Sequence, residues 1–428
     1  MRALLPRTFR VPRAIIRSSR HTSWPRRSHI SSRLLPDSSP PVTSIPPGDA
    51  VALLRALVRI DSRNPSLVPD GPGEGNVARA LADVLGAWGF RVQLMSAAPG
   101  RDNVVARIGP SGGRTLLFNG HLDVVGVDGM VHAPFAADEH DGRLYGRGSC
   151  DMKGGVAAMC AAAARAARDG LDGEIIVSAV VDEEFESLGT RALVASGLHA
   201  DAAIVTEPTR MAVNRAHRGF VWAEFCFAGL AAHGSRYDLG VDAIRHAGFV
   251  LDELERLQHD VLDLRIHHLL GHASLHASTI SGGTGWSTYP DACVLRIERR
   301  TLPGETTASV MSEFEQACAR ATTRDAALDV QVRHVLTQGP SDVAADATIV
   351  RALEAAMRAE GEPVGHEGMS AWTDAALLNE AGIPAICYGP GDIVLAHSAE
   401  EWVPLDEVER ATRVLQRLAT NWMQRKES

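Results

Sequence analysis

Residues 115–123 read Thr115-Leu116-Leu117-Phe118-Asn119-Gly120-His121-Leu122-Asp123. A short, continuously apolar run without helical spacing predicts a strand buried on both faces. It leads into an imidazole and a carboxylate two residues apart. The pattern recurs three times. Residues 175–181 form a second run that ends in Asp182-Glu183-Glu184, and residues 202–205 a third that ends in Thr206-Glu207-Pro208. Residues 384–388 form a fourth, which continues through Gly389-Pro390-Gly391 towards His397. Helical segments such as residues 154–168 separate these runs, which predicts an α/β catalytic domain around a central, mostly parallel sheet. Open α/β sheets place ligands outside the carboxyl ends of their strands, where all four runs put acids or imidazoles. Asp151, just before the helical segment, joins them as a fifth candidate.

Outward from this centre, residues 50–60 and 76–88 have helical spacing, with Gly89 closing the second helix. The middle of the chain changes character. Strand, helix, strand, strand, helix and strand follow one another over residues 220–227, 241–257, 274–280, 292–299, 308–321 and 328–335, the split βαβ order of a ferredoxin-like domain. The expected organisation is therefore a catalytic domain of residues 49–215 and 338–428, interrupted by an inserted lid of residues 216–337. No repeat of 20–50 residues points to a solenoid.

The chain has 428 residues and a net charge of −9, which conceals a split. Residues 1–48 hold nine Arg against one acid, Asp37, a net +8, so the remaining 380 residues carry −17. An acidic body argues against nucleic acid or an anionic membrane surface as partner. No apolar run reaches the roughly 18 residues of a membrane span. The six cysteines are scattered without a CxxC pair, as in reduced proteins of a cytoplasmic compartment. The head is rich in Arg, Ser and Pro, and is read as a disordered segment outside the fold. Two origins fit it: a mitochondrial-type transit peptide, or translated sequence upstream of a start near residue 48. The second places the protein in the cytoplasm.

Several carboxylates and two imidazoles at one sheet edge repel or titrate unless cations compensate them. A pair of divalent metals resolves this, and ligation by His and carboxylate without Cys suits zinc, with cobalt or manganese as alternatives. Such ions lower the pKa of water and polarise a carbonyl. Successive strand residues point to opposite sides, so one of Glu183 and Glu184 can face metal and the other the water, as general base. Taken singly, His121 reads as an ordinary core or surface histidine and Asp182-Glu183-Glu184 as a solvated turn. Their joint occurrence at four strand ends favours a site.

Six ordered motifs over residues 50–428 resemble the M20 metallopeptidases: Gly120-His121-Leu122-Asp123, Asp151-Met152-Lys153-Gly154-Gly155, Asp182-Glu183-Glu184, Thr206-Glu207-Pro208, Ala232-His233-Gly234-Ser235 and Ala396-His397-Ser398. Within that family they are most similar to the acetylornithine deacetylase and succinyl-diaminopimelate desuccinylase group. The resemblance implies a metal-dependent hydrolase of linear amides with two bound divalent ions. Asp151 would bridge the ions, with Glu184 and His397 completing one site and His121 and Glu207 the other. Asp123 would orient the His121 ring, and Glu183 would act as general base. It also implies a cis peptide after Asp151. His233 would help stabilise the tetrahedral oxyanion, often from a partner subunit, so a homodimer through the lid is expected. Arg300 would bind the substrate carboxylate, and Thr373 lies in a loop that lines the pocket in relatives.

The expected substrate is an N-acyl amino acid, or in the rival reading a dipeptide. A metal-free scaffold with a decayed site is the alternative outside enzymes. Read without the resemblance, His233 is an exposed loop residue and Arg300 a solvated strand end. Many relatives carry Asn where Ser287 stands, which puts that lid contact in doubt, and neighbouring Trp286 suggests a different substrate fit. The cluster of His267, His268, His272 and His276 is read as a loop and helix end, not a metal site, since no carboxylate accompanies it.

Overall fold

The structure, a computed structural model, describes residues 44–424. Residues 1–43 of the basic head lie outside the described residues. Residues 44–48, read above as part of the disordered segment, belong to the fold. Ile45 packs on the main core and its carbonyl accepts a bond from the Trp88 indole at 2.9 Å. The Gly48 carbonyl accepts one from Arg165 Nε at 2.7 Å. A single apolar residue among prolines has no periodicity, so sequence patterning does not single it out.

The four apolar runs are strands Thr115–His121, Glu174–Val180, Ala203–Val205 and Ala385–Cys387. They are parallel and adjacent, with the His121 strand between the Glu174–Val180 and Ala203–Val205 strands, and Ala385–Cys387 beyond. Their carboxyl ends therefore share one edge. Every residue of Glu174–Val180 is buried, which accounts for its unbroken apolar run. The parallel centre passes into antiparallel flanks. Arg91–Ala98 and Arg101–Ile108 form a hairpin on one side, and Val213–His217 with Ser341–Asp342 lies on the other. The outer strand Arg91–Ala98 is largely exposed and carries no apolar run to betray it.

Helices Gly154–Arg168 and Leu405–Gln424 pack on each other. The first is rich in Ala and almost wholly buried, and its small side chains let it approach the sheet. At Gly155 the approach is absolute, since a Cβ there would lie 1.8 Å from the Thr206 carbonyl oxygen. Helix Ala50–Val58 begins at Asp49, whose carboxylate accepts from the Ala52 amide at 2.9 Å, an N-cap bond.

A second, four-stranded antiparallel sheet is built from Gly219–Ala228, Ser274–Gly282, Ala292–Thr301 and Asp329–Gln338. In chain order of those strands the sheet runs 2-3-1-4, the ferredoxin-like arrangement expected. Helices Ala243–Leu257 and Thr307–Thr322 cover one face over a core that includes Phe225, Leu254, Leu295 and Phe314. This core is separate from that of the large sheet. The chain crosses between the two sheets at residues 217–219 and 338–341. All six cysteines are free, and five of them are buried. Among the described residues no helix is long and apolar enough to cross a membrane.

Gly155→Ala should lower stability by about 1–3 kcal/mol, the cost of overpacking, and displace Thr206-Glu207. Thermal unfolding together with metal analysis checks this: a variant with wild-type midpoint and metal content would show that the helix can retreat.

Candidate metal centre and active site

Each strand end delivers its side chain to one place. His121 closes its strand. Glu183 and Glu184 lie beyond Val180, after Asp182, whose φ of +67° is left-handed, a region that Asp tolerates better than most residues. The two glutamates therefore diverge because of a turn, and not through the strand alternation expected from sequence. Glu207 follows Ala203–Val205, and His397 follows the short 3-10 turn Ile393–Leu395. Asp151 sits before helix Gly154–Arg168, and the Asp151–Met152 peptide is cis, as the resemblance implies.

His121 Nε2 lies 3.1 Å from Asp151 Oδ1 and 3.9 Å from Glu183 Oε2. His397 Nε2 lies 2.9 Å from Glu184 Oε2 and 3.5 Å from Asp151 Oδ2. The donor atoms of His121, Asp151 and Glu184 fall within 4.8 Å of one another, as do those of His121, Glu183 and Glu207. Glu207 Oε1 is buried without a hydrogen-bond partner. His121 Nδ1 donates to the backbone carbonyl of Asp123 at 2.9 Å, which leaves Nε2 facing the carboxylates, the nitrogen a metal would take once its proton is released. Imidazole nitrogens and clustered oxygens, one of them orphaned, fit divalent cations.

The Asp123 carboxylate is 3.8 Å from the His121 ring, so the carbonyl and not the carboxylate sets the tautomer. The carboxylate instead accepts from the amides of Glu183 and Glu184 at 3.2 and 3.1 Å and from Asn64 Nδ2 at 2.8 Å. Behind it, Arg101 donates to Asp182 at 2.7 Å and pairs with Glu74. On the other side Glu401, fully buried, accepts from the amides of Cys150 and Asp151 at 3.0 and 3.1 Å and from Arg147 at 2.6 Å. Sequence reading missed Asn64, Arg101, Arg147 and Glu401, because each acts on groups far away in the chain.

Burial raises the Glu183 and Glu207 carboxyls well above their usual range, with neighbouring carboxylates adding to it. Burial also raises Glu184, with Asp151 beside it. For Asp151 burial works the other way from its neighbours, and the bond from His121 with the charges of His121, His397 and Arg147 holds its carboxyl low. For His121 burial opposes protonation, yet the bond to Asp151 and the surrounding carboxylates lift it well above the ordinary value. The Glu184 bond raises His397 to about 9.

The cluster faces a cavity of about 630 Å³. Arg300, from the small sheet, lines it, with its Nε 2.5 Å from Glu298. His276 also lines it, from strand Ser274–Gly282, in line with the strand expected over residues 274–280 and against the loop or helix end read for the histidine cluster. Its place in the strand expected from the sequence was the available signal. Thr373 is buried, holding the Ala375 amide at 3.2 Å, and the loop presents Ser370, Ala371 and Trp372 to the cavity instead. Thr373 thus braces the start of helix Ala375–Glu380, whose N-cap is Asp374. His233 is exposed in a turn, its Nδ1 2.8 Å from Ser235 Oγ, outside the cavity lining. Trp286 is fully exposed and also stands outside it.

The model of "Peptidase family M20/M25/M40" matches residues 117–421. The chain belongs to this family. An acetylornithine deacetylase of Myxococcus xanthus is 35% identical over 75% of this chain and 84% of its own length. An N-acetyl-L-citrulline deacetylase of Xanthomonas campestris is 32% identical over 85% and 96%. Among solved structures, an M20 metallo-carboxypeptidase of Sulfolobus solfataricus superposes with a TM-score of 0.72 at 16% identity, covering 87% of this chain and 99% of that one. The Bacillus subtilis YXEP protein, described as a dinuclear metal binding peptidase, gives 0.68 at 15% over 88% and 98%. These two show the shared fold. The chain is a metal-dependent hydrolase of the M20 type.

His121, His397 and the three raised glutamates hold protons in the fold that the unfolded chain holds less tightly. That contribution is present at low pH and is lost as pH rises through the folded values. Chelated protein should therefore show an unfolding midpoint that falls between about pH 6.5, the ordinary histidine value, and about 9, the value to which His397 is raised. Added divalent metal should abolish the fall. A chelated protein whose midpoint rises across that window would contradict the cluster's electrostatics.

Proposed function

We propose that the chain is a two-metal amidohydrolase that removes the acyl group from an N-acyl amino acid bearing a free carboxylate. The observation that carries this reading is the pairing of a carboxylate and imidazole cluster with a guanidinium, Arg300, across one cavity. The named activities of the deacetylase relatives support the reaction class. Asp151 would bridge the two ions, Glu184 and His397 would hold one, and His121 and Glu207 the other. Zinc suits this donor set best, with cobalt or manganese as alternatives. When bound, the ions would neutralise the clustered carboxylates and polarise the scissile carbonyl.

The protein's own residues do the rest. Glu183, which burial keeps ready to hold a proton, takes one from the attacking water and returns it to the leaving amine. Asp123 fixes the backbone on which Glu183 and Glu184 ride. Arg300 orients the substrate through its carboxylate, suited by its planar fork. His233 would stabilise the oxyanion after movement of the lid, residues 216–337, over the catalytic part, residues 49–215 and 338–428, or from the partner in a homodimer formed through the lid. Thr373 acts only by supporting its loop. The cytoplasm is the compartment this reading assigns, supported by six free cysteines.

Glu183→Gln should lower kcat by about 10²–10⁴-fold, the contribution of a positioned base, with metal stoichiometry unchanged. Near wild-type turnover in that variant would move the base elsewhere. Hydrolysis of dipeptides in preference to N-acyl amino acids would favour a dipeptidase.

A further inference from the structure

We infer that the amino-acid half of the substrate carries a flat aromatic side chain, seated on a wall of rings at the guanidinium end of the cavity. This rests on the deacylase reading above and narrows its substrate. The chain has only 10 Phe, 7 Trp and 4 Tyr, yet Phe185, Phe220, Trp222 and Trp372 all line this one cavity. Three of them form a continuous surface. Phe220 and Trp222 have ring centroids 5.1 Å apart at 31°, and Phe220 and Trp372 share a small buried cluster.

The rings are held in place and have no polar group to offer. Trp222 Nε1 donates to Glu298 at 2.8 Å, and Trp372 Nε1 to the Gly339 carbonyl at 2.9 Å. With both indole N–H groups engaged, the wall presents carbon and π faces, which suit a planar apolar group.

The wall and the carboxylate site share one end. Arg300 pairs directly with Phe220 across neighbouring strands, its guanidinium 5.3 Å from the ring centroid. Arg218 lines the same region. In an amino acid the carboxylate and the side chain leave the same carbon, so a ring wall beside Arg300 receives the side chain and not the acyl group. The same geometry disfavours a cationic side chain. Arg218 and Arg300 both line the cavity, Glu298 is already engaged by Trp222 and Arg300, and the other lining acids, Asp151, Glu183, Glu184 and Glu207, belong to the cluster assigned to metal and base. The cavity therefore selects against ornithine, although deacetylases of acetylated ornithine are among the chain's relatives.

The test is kcat/KM of the full-length, metal-loaded protein on N-acetyl-L-phenylalanine, N-acetyl-L-tryptophan, N-acetyl-L-alanine and N-acetyl-L-ornithine. The aromatic pair should exceed the other two by at least about tenfold, the low end of what one well-filled apolar subsite discriminates. Trp222→Leu should cut the phenylalanine-to-alanine ratio by about fivefold or more; the ratio does not depend on how much variant is folded. Equal or better turnover of the ornithine or alanine substrate, or an unchanged ratio in Trp222→Leu, overturns the inference. Hydrolysis of none of the four overturns the deacylase reading instead.

Discussion

Carboxylates buried side by side repel, and a fold that gathers them must stop them from moving apart. Asp151, Glu183, Glu184 and Glu207 meet around His121 and His397 at one sheet edge, mostly out of water. Two anchors behind them prevent retreat. Asp123 accepts the amides of Glu183 and Glu184, and Glu401 accepts those of Cys150 and Asp151. The nearby arginines bond to the scaffold and not to the front layer, although the charge of Arg147 helps to hold Asp151 low. Arg101 is engaged by Glu74 and Asp182, and Arg147 by Glu401. The bonds of these arginines thus stabilise the scaffold, and within the cluster only the two imidazoles bond to the carboxylates.

The same demand shapes the backbone. Four parallel strands must end level, and the helix after Asp151 must press onto the strand before Glu207, which only a glycine at 155 permits. Lys153 links this region to the first helix: its fully buried ammonium donates to the Leu57 and Ile60 carbonyls at 3.0 and 2.9 Å. Burial lowers that ammonium to about 7. A charge so placed is tolerated because two carbonyls receive it. Removing them, or it, would leave buried polar groups unpaired beside Asp151.

Strands buried on both faces leave an apolar run that no other element copies, so the four central strands and the residues at their ends were legible in the sequence. The insertion was legible for a similar reason: alternation in residues 220–227 and a strongly one-sided helix announce a sheet covered on one face. What escaped has a common cause. Glu401 bonds to an amide 250 residues away and Asn64 to carboxylates 59 and 118 residues away, and bonds across such distances leave no spacing to read. His276 was hidden among neighbouring histidines, although its strand position aims it into the cavity. Thr373 is ambiguous for the opposite reason, since a hydroxyl next to a helix start as readily bonds the helix backbone, here the Ala375 amide, as a ligand.

The cavity unites two sheets that share few covalent ties. The chain crosses between them at residues 217–219 and 338–341, and the crossings run so close that a Cβ on Gly219 would lie 2.4 Å from the Gln338 carbonyl. The wall of rings spans this junction, with Phe220 and Trp222 from the small sheet and Trp372 from a loop of the large-sheet half. Any rotation of one sheet against the other about the crossings therefore changes the spacing of the rings as well as the distance from Arg300 to the carboxylate cluster. A substrate that filled the ring wall and bound Arg300 would contact both halves at once. Under the function proposed, binding energy from the side chain would then act on the geometry of the reacting amide, as remote contacts do when they favour the transition state over the ground state.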